Sequence, residues 1–447
     1  MSRPTTTPHE PARRSERGTV VPPQARTAAP SPSVVSRPVA VDAALWPDVA
    51  RLPSGRPGHA AVARLLVGGA LKRLPLVVRH GAGSPATHAT AGPVMTLHDP
   101  DAFYRRIGCH GLIGFGESHM AGEWDSDDLP GLLTVLALHV DELVPAPLRG
   151  LRAGWVTTRP SRDRNTPQGS RENIHRHYDL SNELFAAFLD PTLSYSSAVF
   201  ASLPARFETL AAAQHRKIDR LLDLARVADG TELLEIGTGW GVLALWAAAR
   251  GARVTTLTLS TEQAELARSR IRAAGLADRV DVQLRDYRDI EGRYDAVVSV
   301  EMIEAVGAEY WPSYFTALRG ALNTGGHIAL QAITMGHQQM LNTAATHTWI
   351  SKYVFPGGLI PSRRAISEHA AAAGLRTVSD QGFGEHYAET LRLWRERFHT
   401  SRQTVRALGF DTVFPRLCEF YLAYSEAGFR SRYLDVRQIL LREGTTR

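Results

Sequence analysis

The sequence predicts an α/β fold, in which a parallel β-sheet carries helices on both faces and follows a smaller N-terminal α+β domain. Apolar, β-branched runs alternate with helix-like segments of about ten to fifteen residues, the pattern of repeated strand–helix units. The first of these runs enters a glycine turn, "EIGTGWG", that leads directly into an apolar helix. A polar, proline-containing stretch separates the two domains.

Five parallel strands are expected in the second half of the chain: "TELLEIG", "RVTTLTL", "RVDVQL", "YDAVVSV" and "GHIALQAITM". Helices are expected at 241–250, 261–274 and 310–321. After the fifth strand comes an insertion, "MLNTAATHTWISKYVFPGGLIPS", and the C-terminal portion is predicted to be mostly helical. Ligands of such sheets bind beyond the carboxyl ends of the strands, so functional residues are expected there.

The composition divides the chain into four regions. Residues 1–40 are rich in Pro, Thr, Ser, Ala and Arg and are predicted to be a disordered tail. Residues 41–158 contain the strand-like runs "LPLVVRH" and "VMTLHD", the glycine-rich "GLIGFGESHMAGEW" and an amphipathic helix near 132–144, and are predicted to form the α+β domain. Residues 159–171 are predicted to be a linker, and residues 172–447 the catalytic domain.

The composition also excludes several classes of protein. The formal charge is +6, but it comes mostly from arginines scattered along the chain, which favours neither a nucleic-acid partner nor a specific basic patch. Two cysteines in separate regions form no metal-ligand spacing. The longest apolar stretches are about half of the roughly 20 residues that cross a bilayer. We therefore expect a cytoplasmic protein without a metal, either soluble or peripherally attached to a membrane.

The glycine turn favours a nucleoside ligand without a pyrophosphate. Gly237, Gly239 and Gly241 let the backbone turn tightly and approach a ligand. A dinucleotide site needs Gly-x-Gly-x-x-Gly and an acid after the second strand, whereas here the spacing differs and Thr258 and Leu259 stand where the acid belongs. No Gly-Lys-Ser/Thr follows, which excludes a P-loop.

S-adenosylmethionine fits what remains. Glu235, just before the turn, can reach polar groups of a ligand, and Asp286 and Tyr287 after the third strand can reach its adenine. The structural alternative is that Glu235 caps a helix and Asp286 forms a turn. The pattern alone therefore predicts a methyltransferase while leaving that alternative open.

A wider set of motifs resembles the cyclopropane fatty acid synthase family, which has the class I S-adenosylmethionine-dependent methyltransferase fold. The motifs span nearly all of 172–440: "HYDLSNELFAAFLDPTLSYSSAVF", "LLEIGTGWG", "TLTLSTEQ", "DYRDIEGRYDAVVSVEMIEAVG", "KYVFPGGLIPS" and "HYAETLRLWRERF". "RRIGCHGLIGFGESHMAGEW", "EMIEAVG" and "LQAITM" look most like the actinobacterial branch that makes tuberculostearic (10-methylstearic) acid from oleoyl lipid.

The resemblance implies a set of cofactor contacts in this chain. Gln263 is the most informative of them, because it could supply the ribose hydrogen bonds that the absent acid would make; the structural alternative is a solvent-exposed helix residue. The family's contacts fall on Tyr195, Ser196, Gly237, Gly239, Thr258, Leu259, Gln263, Asp286 and Tyr287.

The resemblance also implies a proton-accepting site. Cyclopropane-forming relatives hold a bicarbonate ion as base, and the matching ligands here are Glu304, the backbone of Ile333 and Tyr387. Ser197 replaces the family's Cys and Gln331 its His. Gln cannot become cationic or shuttle a proton, so the use of bicarbonate stays open. Glu304 follows the fourth strand, where an active-site carboxylate is expected, although it could instead hold a loop in place.

The chemistry expected from this family needs a dry pocket with aromatic faces, because methyl transfer to an alkene leaves a carbocation. Tyr178, Tyr195, Tyr353, Phe355 and Tyr387 lie in the family motifs and are candidates for that pocket, with ordinary core packing as the alternative.

The expected product is a 10-methylene lipid, which a separate reductase would saturate. The alternatives are a cyclopropane synthase, a methyltransferase for a small polar acceptor, and a non-catalytic module that binds lipid and S-adenosylmethionine. The expected partner is membrane phospholipid on the inner face of the cell membrane. The candidate contact surfaces are the arginine excess, the N-terminal domain and "WISKYVFPGG", and a homo-oligomer is a further expectation.

Overall fold

The computed structural model describes residues 39–54, 57–81, 92–140, 160, 181–344 and 346–444 of the chain. The predicted tail and linker lie almost wholly outside these residues, as does Tyr178. The described residues belong to one compact unit. Its strands, numbered in chain order, are Val77–His80 (β1), Val94–Leu97 (β2), Trp124–Ser126 (β3), Glu232–Ile236 (β4), Arg253–Thr258 (β5), Val280–Leu284 (β6), Tyr294–Val300 (β7), Leu322–Met335 (β8), Leu375–Gly382 (β9) and Leu434–Glu443 (β10).

The second half of the chain is built on a seven-stranded sheet with the order β6-β5-β4-β7-β8-β10-β9. The five strands from β4 to β8 pair in parallel, and all five were predicted. Leu234, Val297 and Ile328, from three of these strands, are fully buried, which explains why the strands have nearly continuous apolar runs. The α/β fold class is confirmed.

The helices that pack on this sheet include the three predicted from the sequence, at Val242–Ala249, Thr261–Ala273 and Trp311–Gly320. None of the helices in the described ranges has the length and apolar composition needed to cross a membrane. The other α-helices are Pro47–Ala50, Pro57–Leu71, Pro100–Met120, Leu129–Leu138, Asn182–Phe188, Leu210–Leu224, Ile303–Val306, His337–Ala344, Trp349–Tyr353, Arg363–Ala372, Gly384–Thr400, Arg402–Ala407 and Phe414–Arg430.

The C-terminal portion differs from its prediction, because it adds two strands to the sheet as well as helices. β10 pairs antiparallel with both β8 and β9. The prediction missed β10 because charged residues interrupt its apolar ones, while in the sheet Val436, Ile439 and Leu441 are buried. The sheet is therefore mixed, with a parallel part that ends at β8.

The N-terminal region contains a three-stranded sheet with the order β1-β2-β3, and β1 and β2 are the two strands that were predicted there. Its hydrophobic core is continuous with that of the C-terminal helices: Phe103, Met120 and Trp124 belong to the same buried cluster as Trp394 and Phe420. The N-terminal region therefore packs directly against the half of the protein that contains the seven-stranded sheet.

The glycine-rich segment "GLIGFGESHM" lies within the helix Pro100–Met120, which is interrupted at Gly111. A Cβ atom at Gly116 would lie 2.3 Å from the ring of Trp349, which belongs to the insertion after β8. A larger residue at this position would therefore clash, and the glycine lets the insertion pack closely against the N-terminal region.

We expect Phe420→Ala to lower the free energy of unfolding by about 3–5 kcal/mol, because Phe420 is fully buried and contacts rings from both regions. Urea unfolding monitored by tryptophan fluorescence should show one transition, shifted to lower urea. Leu112→Ala is the control, since Leu112 is 65% exposed and should change the stability by less than about 0.5 kcal/mol. Two separate transitions, with only one shifted by Phe420→Ala, would contradict the shared core.

Candidate active site

The glycine turn lies at the carboxyl end of β4, where the sequence analysis expects a ligand. Gly237, Gly239 and Gly241 have φ angles of 101°, 50° and 85°, a backbone region that side-chain-bearing residues rarely adopt. A Cβ atom on Gly241 would lie only 3.0 Å from the Cβ atom of Ala267. The turn therefore needs its glycines for backbone conformation, and at Gly241 also for close helix packing.

Gln263 lies beside the turn and is buried, so the alternative of a solvent-exposed helix residue is wrong. Its Oε1 atom accepts a hydrogen bond of 3.0 Å from Oγ1 of Thr258, the last residue of β5. Ser260 caps the helix that carries Gln263, and Leu259, between Thr258 and Ser260, is half-buried. This geometry fixes the Gln263 side chain at the carboxyl edge of the sheet.

Glu235 is buried within β4 and does not cap a helix. Its carboxylate accepts a hydrogen bond of 2.6 Å from Thr256, whose hydroxyl is 2.7 Å from that of Thr238 in the glycine turn. Burial raises the pKa of Glu235 to about 8. Glu235 thus reaches the turn through two threonine hydroxyls.

Asp286 and Tyr287 follow β6 on the same edge of the sheet. The backbone N–H of Arg285, just before them, donates to the carbonyl of Thr258. The Asp286 carboxylate binds the Arg288 guanidinium at 2.7 Å and also accepts from the Arg288 backbone N–H, so the turn proposed as the structural alternative is present. The Tyr287 ring packs edge-on against Tyr314.

An apolar cavity of about 380 Å³ lies on the far side of Phe185 from the turn, and its volume is within the roughly 300–1,000 Å³ of small-molecule sites. Phe185 lines it and packs against Trp240 of the glycine turn, with 4.9 Å between ring centroids. Leu45, which also lines it, is 64% exposed, so the cavity reaches the surface there. Its other lining residues include Trp46, Phe188, Phe398, Phe410, Phe414, Leu417 and Leu422.

Two of the predicted pocket aromatics, Tyr195 and Tyr353, line this cavity. The hydroxyl of Tyr195 is 2.7 Å from that of Tyr421, another lining residue. Phe355 is not among the lining residues, but its ring packs edge-on against that of Tyr421. Tyr387 is buried and is not among the lining residues. Its ring packs edge-on against Trp394, which in turn stacks on the lining residue Tyr195.

The centre of the predicted proton-accepting site is occupied by a residue that the sequence analysis missed, Glu301. One of its carboxylate oxygens, Oε1, accepts hydrogen bonds of 2.9 Å from the Ser197 backbone N–H and 2.9 Å from Nε2 of Gln331. The other, Oε2, accepts one of 2.7 Å from the Tyr387 hydroxyl. The structure thus brings Ser197, Gln331 and Tyr387 together, around a carboxylate of the chain itself.

Glu304 and Ile333 form a separate contact next to Glu301. The backbone N–H of Ile333 donates to Oε1 of Glu304. Oε2 of Glu304 is buried and has no hydrogen-bond partner among the described residues. Removal from water, together with the negative charge of Glu301, raises the pKa of Glu304 to about 8. Glu304 is therefore largely protonated at neutral pH.

Lys217 is the second residue that the sequence analysis missed. It is buried, and its ammonium group donates a hydrogen bond of 2.7 Å to the Ser196 hydroxyl. Burial lowers its pKa to about 8, while Glu301 and Glu235 oppose that shift. The sequence carried one signal: only three lysines occur in the chain, and Lys217 lies on an otherwise amphipathic helix.

We expect the stability of the wild type to decrease as the pH rises, and the Glu304→Gln substitution to make this decrease smaller. The folded protein holds a proton on Glu304 up to about pH 8, whereas the unfolded chain loses it near pH 4.5, so stability falls over this interval. Melting temperatures measured from pH 5 to 9 should therefore decline less steeply in the variant. Glu368→Gln, at an exposed helix position, should follow the wild type; equal slopes in all three proteins would contradict the buried acid.

Known proteins resemble this chain along most of its length. Residues 165–439 match the family model described as mycolic acid cyclopropane synthetase. Tuberculostearic acid methyltransferase UfaA1 of Mycobacterium tuberculosis is 55% identical over 414 residues, which cover 91% of this chain and 97% of that protein. Cyclopropane-fatty-acyl-phospholipid synthase of Escherichia coli is 31% identical over 366 residues, 80% of this chain and 90% of that protein.

Solved structures show the same relationship for the catalytic half. The cyclopropane synthase MmaA2 from M. tuberculosis aligns with a TM-score of 0.56 and 31% identity, covering 61% of this chain and 97% of that one. The mycolic acid cyclopropane synthase CmaA1, in complex with SAH and CTAB, aligns with a TM-score of 0.56 and 30% identity over 61% and 98% of the two chains. The chain therefore belongs to the mycolic acid cyclopropane synthetase family of S-adenosylmethionine-dependent methyltransferases.

Proposed function

We propose that the protein transfers a methyl group from S-adenosylmethionine to the double bond of an oleoyl chain in phospholipid, giving a 10-methylene acyl lipid. The observation that carries the proposal is the aromatic-lined cavity of about 380 Å³ that contacts the glycine turn through Phe185 and Trp240. The 55% identity with tuberculostearic acid methyltransferase UfaA1 supports a methyl-branched product.

The residues around the turn fit S-adenosylmethionine, which supplies an activated methyl group when bound. Gly239 has open space where a Cβ atom would lie, and Gly237 has a φ angle of 101° that side-chain-bearing residues rarely adopt. Gln263 lies next to them with its amide fixed by Thr258, in place of the acid that a dinucleotide site would use. The three residues together would hold the nucleoside part of the cofactor.

The cavity would hold the alkene in line with the methyl group and exclude water. Positioning of this kind can supply roughly 7–11 kcal/mol of barrier reduction. The π electrons form the new carbon–carbon bond, while the pair of the breaking carbon–sulfur bond stays on sulfur. The cation left on the acyl chain is stabilised by aromatic faces such as Tyr195, at the cavity wall nearest Trp394.

The product depends on how the cation loses its charge. A hydride shift moves the cation to the methylated carbon, and loss of a methyl proton then gives the methylene group. Loss of the proton without that shift would close a cyclopropane ring, as the names of several relatives indicate for those proteins. A methylene product requires a separate reductase to become a saturated methyl branch.

The cavity opening at Leu45 supports access from a membrane surface, with the protein attached peripherally on the cytoplasmic face. Lys352 of the insertion pairs with Glu117, and Trp349 is buried, so the insertion packs inside the protein. Large apolar side chains of the N-terminal region are exposed instead and would contact the bilayer: Leu45, Leu52, Val62, Leu65, Leu112 and Leu138.

The test of the reaction uses the purified protein, vesicles of oleoyl phospholipid and S-adenosylmethionine with a labelled methyl group. Mass spectrometry and NMR of the released acyl chains should show the label in a 10-methylene group. A cyclopropane as sole product would contradict the proposed outcome, and the absence of label from the acyl chains would contradict methyl transfer itself.

We expect Leu45→Glu to reduce both flotation with anionic oleoyl phospholipid vesicles and turnover on them, because it places a charge at the cavity opening. Val378→Glu is the matched control, since Val378 is 44% exposed on β9, away from the cavity lining. Wild-type flotation and turnover in the Leu45→Glu variant would contradict entry of the acyl chain at this opening.

A further inference from the structure

Glu301 occupies the carboxyl end of β7 and receives donors from three separate segments of the chain. They are a backbone N–H, a side-chain amide and a phenol, from Ser197, Gln331 and Tyr387. All three donor residues are buried, while Glu301 is half-buried and keeps some surface accessible to a ligand. This is the donor arrangement that a bound anion would need, and a side-chain carboxylate already fills it.

A free bicarbonate ion does not fit this donor set. It would have to compete with Glu301 for the same three hydrogen bonds, and the two anions would then lie side by side in a poorly solvated site, which is costly. The Gln331 amide is also fixed on its other side, because Oε1 accepts a hydrogen bond of 3.1 Å from Gln438. Gln331 is therefore held as a neutral donor directed at Glu301.

We infer that the Glu301 carboxylate is the proton acceptor of the reaction, in place of a free anion. This inference rests on the proposed function, since it concerns the last step of that reaction. The accepting atom is Oε2, which receives one hydrogen bond, from Tyr387, whereas Oε1 receives two. A carboxylate oxygen has two lone-pair sites, so Oε2 retains one for the proton.

The position of Glu301 places it between the two parts of the candidate site. Met302, the next residue, lies against the glycine turn, 3.6 Å from where a Cβ atom of Gly237 would be. Toward the cavity, Tyr387, which donates a hydrogen bond to Glu301, packs edge-on against Trp394. Trp394 stacks on the cavity residue Tyr195. Glu301 therefore lies next to the region where a methyl donor and an acyl chain would meet.

The backbone at Glu301 supports a functional role, because its φ angle of 50° is unfavourable for a residue with a side chain. Such conformations are unfavourable for residues with a side chain and are concentrated at functional sites. Glycine would adopt this conformation more readily. The glutamate therefore holds a backbone conformation to which glycine is better suited.

Hydrogen-bond donors and one charge favour the carboxylate form of Glu301 more than that of Glu304. Removal from water raises the pKa of Glu301, but Tyr387, Gln331, Ser197 and the charge of Lys217 all act to lower it. Removal from water and the charge of Glu301 raise the pKa of Glu304 to about 8, against the backbone N–H groups of Ile333 and of Glu304 itself. Glu301 thus has more groups that favour its carboxylate form than Glu304 has.

Loss of a proton to Glu301 completes the reaction. After the hydride shift, a C–H bond of the transferred methyl group breaks, and its electron pair forms the carbon–carbon double bond of the methylene group with the cationic carbon. The proton bonds to Oε2 of Glu301, which becomes a neutral acid. The proton passes to water after the lipid leaves, and this restores the carboxylate.

The test compares wild type, Glu301→Gln, Glu301→Gly and the exposed-site control Glu368→Gln, with oleoyl phospholipid vesicles in buffer depleted of CO2. Wild type and control should turn over equally with and without added bicarbonate. Glu301→Gln should be slower by about 10²–10⁴-fold, the usual contribution of a general base, with S-adenosylmethionine affinity unchanged. Glu301→Gly should be equally slow and should regain turnover when formate or bicarbonate is added.

A second readout does not depend on turnover. Binding of ¹³C-bicarbonate, measured by NMR, should be detected for Glu301→Gly and not for wild type. Saturable binding to wild type, a loss of wild-type turnover on bicarbonate removal, or near-normal turnover of Glu301→Gln would each overturn the inference. If wild type methylates no lipid, the proposed function fails, while the bicarbonate-binding contrast still decides whether Glu301 fills the anion site.

Discussion

The hydrogen bonds to the Glu301 carboxylate join segments that are far apart in the sequence. Ser197 precedes the sheet, Gln331 lies within β8, and Tyr387 lies on the helix Gly384–Thr400. Buried donors of this kind must be satisfied, because an unpaired one costs about 1–3 kcal/mol. The carboxylate therefore ties the helix Gly384–Thr400 and the segment at Ser197 to the carboxyl edge of the sheet, and this helix carries Trp394 and Phe398 of the aromatic wall.

The two parts of the site have different physical characters, and the sheet edge keeps them adjacent. The glycine turn and Gln263 present backbone and amide groups to a polar ligand. The cavity beside them is lined by aromatic and aliphatic side chains, some from the N-terminal region. A reaction between a charged methyl donor and an isolated alkene needs the two reacting atoms about 3–3.5 Å apart, with water excluded.

The local sequence pattern was sufficient to predict the strands β4 to β8 and the glycine turn. It was also sufficient to predict S-adenosylmethionine as the cofactor. Each of these predictions depends on residues that are close together in the sequence. The role of Gln263 came from the family resemblance. Glu301 was missed because "EMIEAVG" contains two acids, and only contacts with distant segments distinguish them. β10 was missed because its pairing with β8 is likewise non-local and its charged residues obscure the strand pattern.

The central claim is that a carboxylate of the chain, and not a dissolved ion, faces the reacting carbon. The most direct measurement is a high-resolution crystal structure of the protein with S-adenosylhomocysteine and a bound acyl chain, grown with bicarbonate present. The account predicts that Oε2 of Glu301 contacts the acyl chain beside the cofactor sulfur, with Ser197, Gln331 and Tyr387 still bound to that carboxylate. A separate planar anion held by these three residues, with Glu301 turned away, would contradict it.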